Sequence, residues 1–253
     1  MIKKKIIFTI FGLLLVLYAN CQVYDITTFD NINNKVHVEL DYVHNILSVY
    51  NHSDTIHISD FTELSDSPKL IDKHFLRIKY GIRAGSDVSY THVLILCVYK
   101  NRLIESLHIT SSYNYVFNKT YNREVDSLKL FDEKGNYSTE LSLVDFGNTY
   151  KLEAAVYNYH KSKQDISDNF SRNESYYLSF DTDRYIFYSG IYDLHDNFLI
   201  YQPPHENAFQ RPLDGRFPMI KLDSFIYYYI DNAWYEKDDG RNYLSSYSYR
   251  VGK

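Results

Sequence analysis

The sequence predicts an all-β fold, mainly antiparallel, built as a β-sandwich or as two small packed β domains behind an N-terminal signal peptide. Three observations carry that expectation. Tyrosine takes 27 of the 253 positions and alanine takes 6. Aromatic side chains fit a pleated sheet surface while alanine is the best intrinsic helix former, so this balance favours strands. Apolar residues recur with period two along several segments, the spacing of half-buried strands. Asn, Asp and Gly fall between such segments, where hairpin turns need positive φ.

Hydrophobic residues at 45% and charged residues at 23% exclude wholesale disorder and fibrous repeats. The length suits one large or two small domains. A net charge of -5 without a long basic run argues against nucleic acid as a partner, because neutralising phosphates requires clustered Lys and Arg.

At the N-terminus, Lys3, Lys4 and Lys5 precede a largely apolar run of thirteen residues, Ile6 to Tyr18. That run is short of the ~20 residues a spanning helix needs, and the region resembles bacterial export signals. Residues 1–21 are expected to be removed, with small side chains at Ala19 and Cys21 ahead of Gln22. The alternative is lipidation of Cys21, which departs from the lipobox pattern at Asn20 and Tyr18; acyl chains there would be the chain's one link to a membrane. The expected compartment is periplasmic, outer-membrane-associated or extracellular. Loss of residues 1–21 leaves 24 basic against 32 acidic side chains, a net charge of -8. Cys97 is then the single thiol, set in the apolar run Val93–Tyr99, where it reads as a small buried hydrophobe.

Strands follow in order. Val36, Val38, Leu40 and Tyr42 alternate with His37, Glu39 and Asp41. The phase then slips before Leu47 and Val49, so a bulge or turn is expected between Val43 and Ile46. Leu76, Ile78, Tyr80 and Ile82 alternate with a basic outer face. Val93–Tyr99, a Lys100-Asn101-Arg102 turn and Leu103–Ile109 make the clearest hairpin, its first strand central. Similar hairpin chemistry recurs at Phe131–Tyr137, with Gly135 and Asn136 at the apex, at Tyr192–Phe198 and at Tyr229–Trp234. Residues 150–160 lean towards strand, and 161–175 read as a long loop. Regions 22–118 and 119–253 are the expected N-terminal and Tyr-rich C-terminal halves, with a single domain as the alternative.

Tyrosine density doubles after residue 176. In Phe225–Ile230, alternation sends Tyr227 and Tyr229 to one face and Tyr228 to the other, so some rings are expected to meet solvent. Tyr192, Tyr201, Tyr228, Trp234 and Tyr235, with the Tyr243, Tyr247, Tyr249 row, form the candidate aromatic platform for a glycan or protein partner. Four of the five prolines fall between Gln202 and Pro218, predicting a stiff surface loop from which Arg211 and Arg216 reach an anionic group. His37, Glu39 and Asp41 share a strand face, yet no further ligand cluster joins them, so no metal site is assigned. Glu105 falls in phase with Leu103, Leu107 and Ile109, an odd place for a carboxylate unless it lies near the open end of a sheet or a bulge shifts the phase. No nucleophile elbow, phosphate loop or dinucleotide fingerprint is present, so no catalytic residue and no cofactor are assigned. The expected function is a non-catalytic binding protein of the envelope or exterior. The alternatives are a secreted hydrolase using carboxylates such as Asp193 and Glu206, and an acidic structural or inhibitory envelope protein.

Overall fold

A chain so poor in helix formers is free to run long strands, and nineteen are found in the computed structural model, with one turn of 3₁₀ helix at Ile166–Asp168 and no α-helix among the described residues. Those residues are 21–82, 88–119, 131–145, 149–162, 166–202, 209–237 and 243–250; of 117–119, 131–132, 145, 194–202, 209–214 and 243 the backbone alone is described. The export reading covers residues 1–21, of which all but Cys21 lie outside the described ones. The all-β, antiparallel expectation holds.

A five-stranded antiparallel sheet takes β1 (Cys21–Thr27), β2 (Asn33–Asp41), β3 (Ile46–Tyr50), β4 (Thr55–Ile58) and, from the other end of the chain, β19 (Ser248–Tyr249), which lies beside β4. A second sheet holds β5 (Phe61–Leu64), β6 (Lys69–Asp72), β7 (Phe75–Ile82), β8 (Val88–Tyr99), β9 (Arg102–Lys119), β10 (Phe131–Asp145), β11 (Tyr150–Ser162), β12 (Phe170–Asp181) and β13 (Ile186–Tyr188). From β7 to β13 it is a plain meander of sequential neighbours. The third unit is a closed barrel of β14 (Gly190–Gln202), β15 (Phe209–Leu222), β16 (Phe225–Ile230), β17 (Ala233–Lys237) and β18 (Tyr243–Ser245), shut by parallel pairing of β14 with β18.

The expected central strand is β8, and its two faces enter different cores. Leu94, Leu96 and Val98 pack with Val36, Val38, Leu47 and Val49 of the five-stranded sheet. Val93, Ile95 and Cys97 pack with Leu152, Val156 and Leu178 of β11 and β12 and with Ile220, Tyr227 and Trp234 of the barrel. A strand buried on both faces reads as a continuous apolar run, which explains Val93–Val98.

Strands β9 and β10 pair only over Ser112–Lys119 and Phe131–Ser138, then part. The free edge of β9 left by this split is met by barrel side chains. The Thr110 N–H donates to the Tyr227 hydroxyl at 3.0 Å, and Trp234 Nε1 donates to the Glu105 carbonyl at 2.9 Å. Buried backbone groups need such partners, so the barrel is seated by hydrogen bonds as well as by apolar contact.

Several local expectations hold. The phase slip after Tyr42 is a turn with Asn45 at φ 56°, the Lys100-Asn101 and Asp231-Asn232 turns carry positive φ, and 150–160 is strand. Others are corrected. β10 runs straight through the expected Gly135-Asn136 turn. Gly135 instead leaves room for the Tyr115 ring, since a Cβ there would clash with it, and the Tyr115 hydroxyl crosses it to reach His160 Nδ1. Tyr192–Phe198 is not a hairpin tip; β14 continues through it with a register shift between Leu194 and Asn197. The long loop at 161–175 gives way to β12 from Phe170 onward. Pro212 and Pro218 lie in a strand, on the part of β15 that pairs with β14 alone, where a missing N–H breaks no second ladder.

Candidate functional site

Beyond the split, the outer ends of β8 to β12 form one broad sheet whose solvent face has an unusual make-up. Cross-strand register aligns two adjacent rows. One is Ser89, Asn114, Asn136, Tyr159 and Ser171; the next is Thr91, Ser112, Ser138, Tyr157 and Asn173. All ten side chains are exposed or half-buried, and none carries a charge. Solvent-facing sheet surfaces ordinarily carry Lys and Glu, which also guard against unwanted pairing. Charges appear only at the ends of this face, with Lys134 and Lys161 on one side and Glu140 and Glu153 on the other. The Tyr157 and Tyr159 rings stand 5.9 Å apart, and Tyr177, 64% exposed, lies further along β12. Tyrosine supplies rigid amphipathic contact area, while Ser and Asn supply adaptable hydrogen bonds, a combination that antibody paratopes also use.

The residues singled out from the sequence lie elsewhere and do not gather into one platform. Trp234 is 2% exposed and belongs to the main core. Tyr228 is buried inside the barrel with Ile230 and Leu244, and half-buried Tyr235 packs against that cluster. The premise that one face of β16 must be wet fails because the strand has the barrel interior on one side and the main core on the other. Tyr192 is 41% exposed, with its ring 5.6 Å from Tyr228. Arg216 is exposed, its Nε 3.5 Å from Asp193 Oδ1, and it lines a cleft at the edge of the barrel. Tyr201 and Arg211 sit in β14 and β15 with side chains outside the described ones, as do His205 and Glu206 altogether. Cys21 opens β1, its Sγ 3.9 Å from His37 Nδ1, and Asp41 turns to His44 at 2.6 Å. Among the described residues no three His, Cys, Asp or Glu side chains are placed to hold a metal ion.

Glu105 is indeed buried, at 1% exposure. It shares the face of Leu103, and a bulge opposite Ile95 and Leu96 then turns Leu107 and Ile109 into the other core. Ser248 of β19 donates its hydroxyl to the Glu105 carboxyl group, 2.9 Å from both oxygens. Glu105 also meets His108 Nδ1 at 3.1 Å, and His108 Nε2 meets the buried Tyr80 hydroxyl. Every polar group in this chain has a partner when Tyr80 donates to His108 and His108 donates to Glu105, which fixes the imidazole tautomer. Burial, reinforced by Glu105 and Tyr247, holds the Tyr80 phenol well above its usual range, so it remains a donor. These groups are buried and line neither the cleft bounded by Tyr99 to Asn232 nor the one bounded by Arg77 to Ser142, so they serve the architecture.

His92 adjoins them, with its ring 4.3 Å from that of Tyr247 and neither ring nitrogen hydrogen-bonded. Burial first, and His108 second, hold its pKa well below the usual histidine value. The unfolded chain therefore binds a proton that the folded chain refuses, and stability falls as pH drops below about 6.5, by up to about 1.4 kcal/mol per pH unit until the folded pKa is reached. His57, also lowered by burial, adds in the same direction. Urea unfolding at pH 7.5, 6 and 5 checks this: His92→Phe is expected to flatten the wild-type slope, and an unchanged slope would refute the assignment.

The thiol of Cys97 is fully buried, pushed up to about 12 by burial, and accepts a hydrogen bond from Ser106 at 3.2 Å. It is a packing residue. Among known proteins, no family model, curated protein or solved structure matches the chain.

Proposed function

We propose that the chain is an exported, non-catalytic binding protein that recognises an uncharged glycan on the outer face of β8 to β12. The observation that carries this reading is the pair of charge-free rows centred on Tyr157 and Tyr159. Sugar rings have apolar faces that pack on aromatic side chains, and their hydroxyls pair with amide and hydroxyl groups of both donor and acceptor kind. A neutral surface with Ser, Thr and Asn around exposed Tyr157 and half-buried Tyr159 matches both needs. Export rests on Lys3–Lys5 and the apolar run behind them, and it places the protein where such glycans occur. The hydrolase alternative lacks support in the described residues, where Asp193 is an exposed partner of Arg216.

The test is binding of the chain to an array of neutral polysaccharides, followed by titration of the best ligand. Replacing both Tyr157 and Tyr159 by alanine is expected to weaken binding at least tenfold, the scale of aromatic residues central to an interface. Tyr157 is exposed, Tyr159 is half-buried and neither belongs to a buried core, so thermal unfolding of the double variant is expected to stay near that of the wild type. Undiminished binding by the double variant would remove this face from the function.

A further inference from the structure

A second site lies at the edge of the barrel, independent of the neutral face. Three hairpin turns converge there on a cleft of about 490 Å³: β8 to β9, β12 to β13, and β16 to β17. We infer that this cleft binds a sugar carrying a carboxylate, its ring against the aromatic wall and its anion between Arg102 and Arg216.

The charge of the cleft runs against that of the chain. Lys100, Arg102, Arg184 and Arg216 line it together with only two carboxylates, Asp183 and Asp231, in a protein whose net charge is -5. Arg184 is engaged by Asp181 at 2.7 Å, and Arg216 lies 3.5 Å from Asp193 in an exposed pair of the kind that contributes little. Among the described residues, Lys100 and Arg102 have no carboxylate partner. An arginine fork suits a carboxylate, which takes two parallel hydrogen bonds.

The wall is aromatic. Tyr99 and Tyr185 stack with centroids 4.2 Å apart, and Phe217 and Tyr229 complete the lining. A site combining apolar ring faces with a few placed charges, in a volume of this size, suits a ligand of one or two sugar units.

The backbone around the cleft is held in a costly conformation. Lys100 sits at φ 47° and Tyr185 at φ 60°, in the left-handed region that long and aromatic side chains avoid. Glycine or asparagine would occupy these positions without that cost. Residues held in such regions cluster at ligand sites because the strain fixes side-chain direction. Both residues line the cleft, where Lys100 Nζ lies over the Tyr99 ring, 5.1 Å from its centroid.

The test is calorimetric titration of the full chain with digalacturonate, and with neutral digalactose as the comparison. The expected result is salt-sensitive binding of digalacturonate at least tenfold tighter than that of digalactose. Arg102→Gln and Arg216→Gln should each weaken it about tenfold, with thermal unfolding of both variants unchanged, while Val43→Ser on the exposed β2 to β3 turn binds as the wild type does. Equal affinity for the two disaccharides, no binding of digalacturonate, or undiminished binding by both arginine variants would overturn the assignment.

Discussion

Replacing Glu105 by alanine is expected to lower the stability by about 3–5 kcal/mol, because partners of a buried charged or polar network are left without their acceptor. Ser248 and His108 both hydrogen-bond to this one carboxyl group, and Tyr80 depends on His108 in turn. The loss should spread beyond the site. β19 is held to the five-stranded sheet through two register pairs with β4 and through Arg250, which reaches Asp54, and to β9 of the second sheet through Ser248 and through the Arg250 bond to the Leu103 carbonyl. Urea unfolding should therefore show reduced stability, and hydrogen exchange should show loss of protection along β4. Glu105→Gln retains an acceptor and should cost markedly less; equal losses for the two variants would show that volume, and not the hydrogen-bonded chain, is what matters.

Trp234→Ala is the second large effect, expected at about 3–5 kcal/mol from the cavity left in the main core. Its indole joins Tyr229, at 5.1 Å between centroids, to the β9 edge by donating to the Glu105 carbonyl. Trp234→Phe separates the two contributions, since it fills most of the space but leaves that carbonyl without its donor, at about 1–3 kcal/mol. Thermal unfolding of the two variants gives the comparison. If Trp234→Ala melts with the wild type, the indole does not seat the barrel on β9. Any loss of ligand binding in this variant reports on stability and not on a contact.

Much of the fold was legible because period-two alternation is a local signal. Val36, Val38, Leu47, Val49, Ile78 and Tyr80 all face the core that the alternation assigned them. The β8 run read as central, and it is buried on both faces. Turn chemistry was less reliable. Gly135-Asn136 has the composition of a hairpin apex, but its glycine answers to a ring crossing from a neighbouring strand, which no local pattern reveals. The aromatic site was misplaced for a related reason. Tyr228 and Trp234 belong to a dense tyrosine run, yet closure of β14 to β18 into a barrel gives both faces of β16 an interior, and closure depends on residues far apart in sequence. The neutral face was missed because its members are spread over five strands and only register brings them side by side. A cue existed in the charge-poor stretches Ser111–Phe117 and Tyr157–Tyr159. Glu105 was recognisable as out of place, and a bulge that shifts the phase, one of the readings its position allowed, is what β9 has there.

The return of β19 to the side of β4 has a consequence for the order of events as the chain matures. The first sheet, begun at residue 21, lacks its outermost member until residue 248 has emerged, and contacts such as Arg250 to Asp54 span 196 positions. Such distant contacts slow folding. Until those residues are made, the Glu105 carboxyl group lacks its Ser248 donor and Asp54 lacks Arg250, so this corner of the molecule is the last to close.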